Sequence, residues 1–363
     1  MNEVEQAKVS PIEKASLIKA LAKTGLTIAG IITAYTVYHK IFSRTERPDY
    51  KVNPGLFDYE KVRYELPRTE LTFKSKKETL NAYYYECKKP LGLVVLVHGF
   101  KSGSDAYLPI TMYLVKNGFN VFTFDGTGVY ESTGKYTNGF SQGLVDLDYA
   151  LRFVQSRRDM SRLPLFLLGH SCGGFAVNAV LNIHKEVKAC ASIAAVNNCY
   201  KLLLDMGYQY GGEMTNQGLP KEFLDEYQRL LFGQYCDYTA LMGVNSVKIP
   251  VLIAHGNSDE TISFGNLSLI SHQNEITNPN VKYYYGTGYQ GGHDSIWHSE
   301  KSILYKKEVD KKLKGLKKDY DAKVEYCKTV DHKLYSDINY ELLDEIIALY
   351  KDSIKRKWPS LFK

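Results

Sequence analysis

The chain of 363 residues lacks the sequence patterns that mark most metal and nucleic-acid sites. It has no C-x-x-C pair, no cysteine and histidine spacing typical of zinc, no glycine-rich phosphate loop and no RNA-binding signature. These absences argue against nucleic acid as a partner. They also leave no pattern that calls for a metal ion or an organic cofactor.

Cysteine is scarce and scattered. The spacing of the six residues predicts buried thiols in a reducing compartment and not a disulfide framework; they are Cys87, Cys172, Cys190, Cys199, Cys236 and Cys327. A disordered chain is also excluded, because 44% of the residues are hydrophobic and 13% are aromatic, which is ample for a large core.

Neither sign of charge dominates except near the carboxyl terminus. The chain has 46 basic and 40 acidic residues, a net charge of +6, and between Lys301 and Val330 ten lysines stand against five carboxylates. We therefore predict that residues 299–363 form a lysine-rich helical extension. Two amphipathic helices are indicated by apolar residues at helical spacing: Ile303, Val309, Leu313 and Leu316, then Leu342, Ile346, Ile347, Tyr350 and Ile354.

Long apolar runs are missing as well, although one stretch comes close. Residues 24–38 are 15 positions without a charged side chain. As a helix they reach roughly 22 Å, against a hydrocarbon core of roughly 30 Å, and flanking apolar residues with snorkelling lysines extend that reach. We predict that residues 1–47 hold a membrane segment, with residues 24–38 as the core of a single span or an anchor. The alternatives are a buried or interfacial helix and a signal peptide.

This prediction implies a membrane-associated protein. The basic residues on the two sides of residues 24–38 balance, so charge does not decide which membrane face carries the rest of the chain. The unpaired cysteines favour the cytoplasmic face.

Strand and helix signals alternate along the body of the chain. Residues 48–68 are turn-rich and extended, as in a linker, and residues 69–298 form the predicted main domain. Its strand-like segments are 69–75, 79–87, 93–98, 120–125, 165–168, 189–195, 251–255 and 281–285. Apolar strands separated by helices are typical of a sheet covered on both faces, so we predict an α/β fold with a mostly parallel central sheet.

One insertion interrupts this alternation. Residues 197–247 contain no clear core strand, and their length favours a helical cap over a structureless connection. The insertion is rich in tyrosine and methionine, including Tyr200, Met206, Tyr208, Tyr210 and Met214. Individually these side chains can simply pack the cap onto the body. Together they indicate an apolar roof over a pocket.

The most informative stretch is Gly169-His170-Ser171-Cys172-Gly173, which lies between an apolar strand and a helix-compatible segment. The pattern G-x-S-x-G in this setting predicts a nucleophile elbow, a tight turn that holds the serine at the carboxyl end of the strand. Glycine is expected on both sides because side chains there would collide with neighbouring backbone. Cys172 is not the expected nucleophile, because the residue after the serine normally contributes its backbone N–H.

Three further motifs complete a resemblance to the α/β-hydrolases over residues 69–297. They are Val94-Val-Leu-Val-His-Gly-Phe100, Phe124-Asp-Gly-Thr-Gly-Val-Tyr-Glu-Ser132, and the pair formed by residues 250–259 and Gly291-Gly-His293. Tyr130 departs from the second glycine that is usual in the second motif. Within the family the chain is most similar to the lysophospholipase-like and serine aminopeptidase-like branch, which implies an α/β-hydrolase fold with a helical cap.

The resemblance implies that Ser171, Asp259 and His293 are catalytic. The chemistry agrees, because a serine hydroxyl is a weak nucleophile until an imidazole removes its proton, and a carboxylate fixes the tautomer of that imidazole. The three residues also occur in the order serine, acid, histidine that this fold uses. The resemblance places an oxyanion hole at the backbone N–H groups of Phe100 and Cys172.

Other histidines and aspartates are weaker candidates; they are His98, His170, His255 and His298 for the base, and Asp125 and Asp294 for the acid. His298 is the nearest substitute for His293 but lacks the glycine loop before it. Asp294 adjoins His293 in sequence, so its side chain should point elsewhere. We expect structural roles for the other four residues.

We therefore expect a serine hydrolase that cleaves carboxylic esters, such as acyl-glycerols or lysophospholipids, through an acyl-enzyme on Ser171. The alternatives are a serine aminopeptidase or amidase acting on small peptides, and a non-catalytic binding protein that keeps the fold. Dehalogenase and epoxide-opening chemistry is disfavoured, because those branches place aspartate at the position of Ser171. The expected substrate is a small acyl ester or peptide, and the oligomeric state is left open.

Overall fold

Eight β-strands form the centre of the computed structural model, which describes residues 28–55, 59–209, 221–265 and 267–355. The strands are β1 Arg68–Ser75, β2 Glu78–Tyr85, β3 Gly92–Val97, β4 Phe119–Phe124, β5 Leu165–His170, β6 Ala189–Ile193, β7 Val251–Gly256 and β8 Val281–Gly286. Each of them begins and ends within two residues of a predicted segment. The strand-like segments of the sequence therefore located the strands.

Helices occupy much of the chain between and after the strands. They are α1 Ile28–Ile41, α2 Tyr59–Val62, α3 Leu108–Lys116, α4 Gln142–Ser156, α5 Cys172–Ala179, α6 Cys199–Gln209, α7 Lys221–Phe232, α8 Ala240–Asn245, α9 Glu300–Gly315, α10 Tyr320–Lys328, α11 His332–Tyr335 and α12 Tyr340–Lys355. Short 3₁₀ turns complete several of the loops, including residues 288–291 and 295–297.

The strands form one sheet in the order β1-β2-β4-β3-β5-β6-β7-β8. The β1 strand pairs antiparallel with β2, and β2 pairs antiparallel with β4. All the other pairings are parallel, from β4 through β3 to β8. The predicted fold class, a mostly parallel central sheet within an α/β fold, is confirmed.

The sheet separates two hydrophobic clusters, because successive side chains of a strand point to opposite faces. On β3, Val95 and Val97 belong to one cluster, whereas Val94 and Leu96 belong to the other. The first cluster includes residues of α1, α4, α5 and the cap, and the second includes residues of α3 and α12. Helices therefore cover both faces, and the carboxyl ends of the parallel strands are left to carry a site.

The insertion between β6 and β7 is helical where it is described. It contributes α6, α7 and α8, and residues Phe223, Leu224 and Tyr227 of α7 are buried. Tyr210 and Met214, which the sequence places in a pocket roof, lie outside the described residues.

The prediction of a membrane-associated protein is wrong. Among residues 28–355 as described, no helix is both long and apolar enough to cross a bilayer. Helix α1 has 14 residues, and one side of it, with Ile31, Ala34 and Tyr38, is buried in the first hydrophobic cluster. Residues 1–27, which include the start of the predicted span, lie outside the described residues. A run of uncharged residues fits a helix packed on a core as well as a membrane span, and the buried side of α1 packs on the core while Ile28 and Ile32 are exposed.

The carboxyl-terminal region adds the helices α9 to α12 to the body. Helix α12 contributes Leu342, Ile346 and Tyr350 to the second hydrophobic cluster, and the hydroxyl of Tyr350 donates a hydrogen bond to the carbonyl of Leu167 at 2.7 Å. Ile354, predicted on the same apolar face, is 41% exposed. Helix α12 therefore closes one face of the sheet directly beneath strand β5.

Candidate active site

The G-x-S-x-G motif forms a sharp turn between β5, which ends at His170, and α5, which begins at Cys172. Ser171 has φ of +57° and ψ of −120°, a strained conformation for a residue with a side chain. A Cβ atom at Gly169 would lie 2.2 Å from the carbonyl oxygen of Gly173, and one at Gly173 would lie 2.3 Å from that of Val97. Both glycines are therefore sterically required.

Ser171, His293 and Asp259 come together at the carboxyl ends of the strands. His293 Nε2 lies 3.0 Å from Ser171 Oγ, and His293 Nδ1 lies 2.8 Å from Asp259 Oδ2. Asp259 follows β7, and His293 follows the 3₁₀ turn after β8. The three residues are only 6–8% exposed. This chain of hydrogen bonds is the arrangement in which an imidazole can remove a proton from a serine hydroxyl.

The Asp259 carboxylate accepts more hydrogen bonds than the one from His293. Its Oδ1 accepts from the backbone N–H groups of Thr261 and Ile262 at 2.9 and 2.7 Å, and its Oδ2 lies 3.2 Å from Nε2 of the buried His255. Burial raises the pKa of Asp259, but the bonds from His255 and His293 outweigh it and hold this pKa well below its usual range. Asp259 is therefore an anion in a fixed orientation.

The anion controls the protonation of His293. Burial lowers the pKa of His293, but the hydrogen bond and the charge of Asp259, with further charge from Asp294 and Glu260, raise it above the usual value of 6.5. Because Nδ1–H donates to Asp259, Nε2 is the nitrogen that faces Ser171 and can accept its proton. A raised pKa makes the imidazole a stronger base.

The two predicted oxyanion donors flank the serine. Cys172 is the first residue of α5, so its N–H has no acceptor within the helix and lies at the positive end of the helix dipole. Phe100 follows Gly99, and a Cβ atom at Gly99 would lie 3.3 Å from Cβ of Ser171. The loop after β3 therefore runs directly over the serine.

Tyr107, which the sequence did not single out, connects these loops together with His170, for which the sequence predicted a structural role. The backbone N–H of Gly99 donates to the Tyr107 hydroxyl at 3.0 Å, and this hydroxyl lies 2.9 Å from His170 Nδ1. His170 Nε2 in turn lies 3.3 Å from the carbonyl oxygen of His293. Burial, together with the charge of His293, lowers the pKa of His170 to about 4. A neutral His170 thus joins the loop of Gly99 to the loop of His293.

The other sequence candidates lie around the site or away from it. His98 Nε2 accepts from the N–H of Gly126 at 3.1 Å, and Asp125 Oδ1 accepts from the N–H of Ser104 at 2.9 Å. His298 contacts the carbonyl of Asp337 instead of Ser171 or Asp259, and burial lowers its pKa to about 3. None of these side chains contacts the Ser171 hydroxyl in the described part of the chain.

One group of potential metal ligands occurs within the described residues. It consists of His170, His293 and Asp294, whose ligand atoms lie within 4.8 Å of one another. His170 Nε2 already faces the carbonyl of His293, and His293 Nε2 faces Ser171. These nitrogens are therefore engaged in the hydrogen bonds of the candidate active site.

A small cavity of about 50 Å³ adjoins the two predicted oxyanion donors. Phe100 and Cys172 line it together with Phe124, Val129 and Phe140. Gln142 and Asp146 add polar groups to its wall. The recess is mainly apolar, and among the described residues that line it are Cys172 and Gly173, which follow Ser171, but not Ser171 or His293 themselves.

A protein-family model described as serine aminopeptidase, S33, matches residues 88–204. The match contains Phe100, Ser171 and Cys172 but ends before Asp259 and His293. The positions of the last two residues therefore rest on the geometry described above.

Similar curated proteins match parts of the chain. The uncharacterized protein YfhR of Salmonella typhi is 31% identical over 175 residues, which are 47% of this chain and 54% of that protein. A Schizosaccharomyces pombe protein, provisionally named a monoglyceride lipase, is 37% identical over 92 residues, or 24% of this chain and 23% of that protein. The match with this chain therefore spans about half the length of YfhR.

Solved structures resemble the whole arrangement at low sequence identity. The esterase Pf2001 of Pyrococcus furiosus superposes with a TM-score of 0.56 at 14% identity, over 86% of this chain and 98% of the esterase. A second crystal form of that esterase gives a TM-score of 0.51 at 17% identity. At this identity the likeness shows a shared fold.

Proposed function

We propose that the chain, whose residues 88–204 match the serine aminopeptidase, S33, family model and whose fold is that of an esterase, is a serine hydrolase that cleaves carboxylic esters through an acyl-enzyme on Ser171. The observation that carries this proposal is the hydrogen-bond chain from Asp259 through His293 to Ser171. A buried, oriented carboxylate, a basic imidazole and a serine held in a strained turn together supply what acyl transfer requires.

In the first half of the reaction, Ser171 Oγ attacks the ester carbonyl carbon while His293 Nε2 takes the hydroxyl proton. The carbonyl oxygen becomes an oxyanion that the N–H groups of Phe100 and Cys172 stabilise. The tetrahedral intermediate then expels the alcohol, which takes its proton from His293. The acyl group remains bonded to Ser171, and Asp259 stabilises the imidazolium throughout.

In the second half, water replaces the alcohol. His293 removes a proton from water, the resulting hydroxide attacks the acyl carbon, and the second tetrahedral intermediate uses the same N–H donors. Its collapse releases the carboxylic acid, and Ser171 recovers its proton from His293. Losing one oxyanion donor typically costs about 100- to 1000-fold in kcat. Because both donors are main-chain groups, side-chain substitutions should act on them only through their positions.

The proposed substrate is an acyl-glycerol, a lysophospholipid or a similar acyl ester. The recess beside Phe100 and Cys172 supports this class, since most of its exposed lining is apolar and can contact a hydrocarbon group. The names of an esterase and of a provisional monoglyceride lipase among the similar proteins point the same way.

A serine aminopeptidase is a second candidate, and one observation favours it besides the description of the matching family. Two carboxylates flank His293: Glu260 Oε2 accepts from its backbone N–H at 3.2 Å, and the Asp294 side chain is 72% exposed. Carboxylates beside a catalytic histidine can pair with the α-amino group of a peptide. An aminopeptidase would use them in this way, whereas an esterase would leave them solvated.

Labelling with a fluorophosphonate probe tests the mechanism. We expect the full chain to react stoichiometrically and Ser171→Ala to lose all labelling. Ser192→Ala is the matched control, because Ser192 is fully buried in the adjacent strand β6 and its hydroxyl has no hydrogen-bond partner among the described residues. Equal labelling of Ser171→Ala and the wild type would refute the proposal, and an unreactive wild type would favour a binding protein.

A substrate panel separates the two activities. Esters of p-nitrophenol with acyl chains of increasing length are compared with aminoacyl p-nitroanilides, each with the wild type and Ser171→Ala. We expect hydrolysis of the esters that disappears in the variant. Cleavage of the anilides alone would establish the aminopeptidase instead.

A further inference from the structure

The segment that follows helix α1 is bound along the loop of residues 126–140. This strap, residues 42–47, makes three backbone hydrogen bonds to the loop: Thr137 N–H to Phe42 O, Thr45 N–H to Gly128 O, and Tyr130 N–H to Thr45 O, each at 2.9 Å. The 126–140 loop in turn supports the turn of His98, through the bond from Gly126 N–H to His98 Nε2. The 126–140 loop therefore links the backbone of the strap to the turn that carries His98.

Two arginines of the strap add charge-assisted contacts. Arg44 donates to the carbonyls of Ser132 and Gly134 at 2.9 and 3.0 Å. Arg47 pairs with Glu131, with the buried Asp105 and, at 3.7 Å, with the fully buried Asp125. Because a buried carboxylate without a cation is costly, these contacts bind the strap to the body rather than leave it as a linker.

The strap also provides an aromatic side chain that touches the candidate site. Phe42 is fully buried, and its ring centroid lies 5.5 Å from that of Phe100 and 5.0 Å from that of Phe140. Phe100 and Phe140 lie 4.9 Å apart, and all three contacts are edge-on. Edge-on packing on two sides restricts the rotation of the Phe100 side chain, and therefore of the backbone that carries its N–H.

Helix α1 connects the same segment to the cap. The Tyr38 hydroxyl donates to the carbonyl of Asn138 at 2.8 Å and accepts from Gln228 of α7 at 2.7 Å. His39 Nε2 lies 2.6 Å from the Tyr227 hydroxyl, also on α7. One stretch of chain thus contacts the cap helix, the 126–140 loop and Phe100.

We propose that residues 28–47, called the N-terminal segment below, support the active site and that Phe42 is a positioning residue for the backbone N–H of Phe100. This inference rests on the proposed function, because it concerns the donor that stabilises the oxyanion. Phe42 touches neither substrate nor reacting atoms. It acts by holding Phe100 against Phe140 at the distance that the oxyanion requires.

The test compares Phe42→Ala with Phe73→Ala in the full chain. Phe73 is the matched control, since it is a buried phenylalanine of β1 that packs against Phe124 and Phe153 in the same cluster and, within the described part of the chain, makes no ring contact with Phe100. The measurements are kcat and KM for a p-nitrophenyl ester, the Ki of an aryl trifluoromethyl ketone, which mimics the tetrahedral intermediate, and the unfolding temperature.

We expect Phe42→Ala to lower kcat by about 10- to 100-fold at nearly constant KM and to raise the Ki of the ketone by a similar factor, because a misplaced donor weakens the transition state more than the substrate complex. Phe73→Ala should lower the unfolding temperature comparably while kcat and Ki stay close to the wild type. If an alanine variant fails to fold, Phe42→Leu and Phe73→Leu replace the pair, with a smaller expected loss.

Equal kcat and Ki values for the Phe42 and Phe73 variants would overturn the inference and leave Phe42 with a purely structural role. A fall in kcat with a matching rise in KM and no change in Ki would also overturn it. Failure of the proposed function is distinguishable, because the wild type itself would then not react with the fluorophosphonate probe.

Discussion

At the scale of single residues, the site depends on how His293 is held between an anion and a serine. Asp259 accepts from four groups, two of them backbone N–H groups close to it in sequence, so its carboxylate cannot turn away when His293 becomes charged. The imidazole therefore meets a fixed negative charge. This arrangement fixes both its tautomer and its affinity for a proton.

The pH dependence of kcat/KM follows from that charge. His293 must be neutral to accept the proton of Ser171, so activity should rise with pH through the pKa of His293. Since Asp259 raises this pKa above 6.5, the midpoint of the acid limb should lie above pH 6.5. Asp259→Asn should move the midpoint to lower pH and reduce kcat by about 10⁴-fold. A wild-type midpoint at or below pH 6.5, measured between pH 5 and 9, would contradict this account.

Tyr107 offers a second test at this scale. Tyr107→Phe removes the acceptor of the Gly99 N–H and the partner of His170 Nδ1, and leaves both groups buried and unpaired. We expect a loss of about 1–3 kcal/mol in the free energy of unfolding, and a fall in kcat because Gly99 precedes Phe100. Tyr350→Phe, which removes the bond to the Leu167 carbonyl, is the control. Both variants are compared by urea unfolding and ester hydrolysis. Equal effects on kcat would show that Tyr107 has no special role.

At the scale of elements, helix α1 and the strap behave as part of the body. The sequence placed a boundary at residue 48, with a linker from there to residue 68. The contacts of the strap with the 126–140 loop cross that boundary, since Arg47 pairs with Asp105 and Asp125. An autonomous body that starts at residue 48 would therefore contain carboxylates without their cation.

Two fragments test this point. A fragment that starts at Pro48 loses Phe42, Arg44 and Arg47, and breaking a buried ion pair on one side typically costs about 3–5 kcal/mol. A fragment that starts at Ile28 keeps every contact described for the strap and is the matched control. We expect the Pro48 fragment to unfold at a clearly lower temperature than the Ile28 fragment and to lose most ester hydrolysis. Equal stability and activity of the two fragments would show that the strap is dispensable.

The elements differ in how far local sequence specifies them. Strands β3 to β7 were predictable because they are short, mostly apolar and buried along their whole length. The elbow was predictable because Gly169 and Gly173 are required by steric contact within one short turn. Helix α1 was misinterpreted because a run of uncharged residues shows low polarity but does not show whether the helix packs against protein or lipid. Only the packing of Tyr38 on the cap and the 126–140 loop decides between a core and a bilayer.

The candidate site likewise contains residues that the sequence predicted and residues that it did not predict. Ser171, Asp259 and His293 follow strands and stand in a recognisable order, so the sequence located the residues that the structure brings together. The sequence did not predict the roles of Tyr107 and Phe42, because the residues that they contact lie far away along the chain. Contacts of this kind leave no periodic pattern in the sequence. Catalytic roles for the first three residues stay predictions until the labelling experiment is done.

At the scale of the whole molecule, the sheet separates two hydrophobic clusters, and only one of them contains the helix that follows Ser171. The second cluster, which includes α3 and α12, supports the strands from the side of Tyr350. The first cluster contains α1, the elbow helix α5 and the described part of the cap, and so connects the N-terminal segment to the neighbourhood of Ser171. A change in any of these elements reaches the candidate site through one continuous set of packed side chains.

The contacts between α1 and the cap also determine when this part of the structure can form during translation. His39 and Tyr227 are 188 positions apart, and Tyr38 and Gln228 are 190 apart. A ribosome that has just released helix α1 must still translate strands β1 to β6 before either partner emerges, and contacts of such long range form late and slowly. The contacts that join Tyr38 and His39 to the cap can therefore form only after the cap has been synthesised.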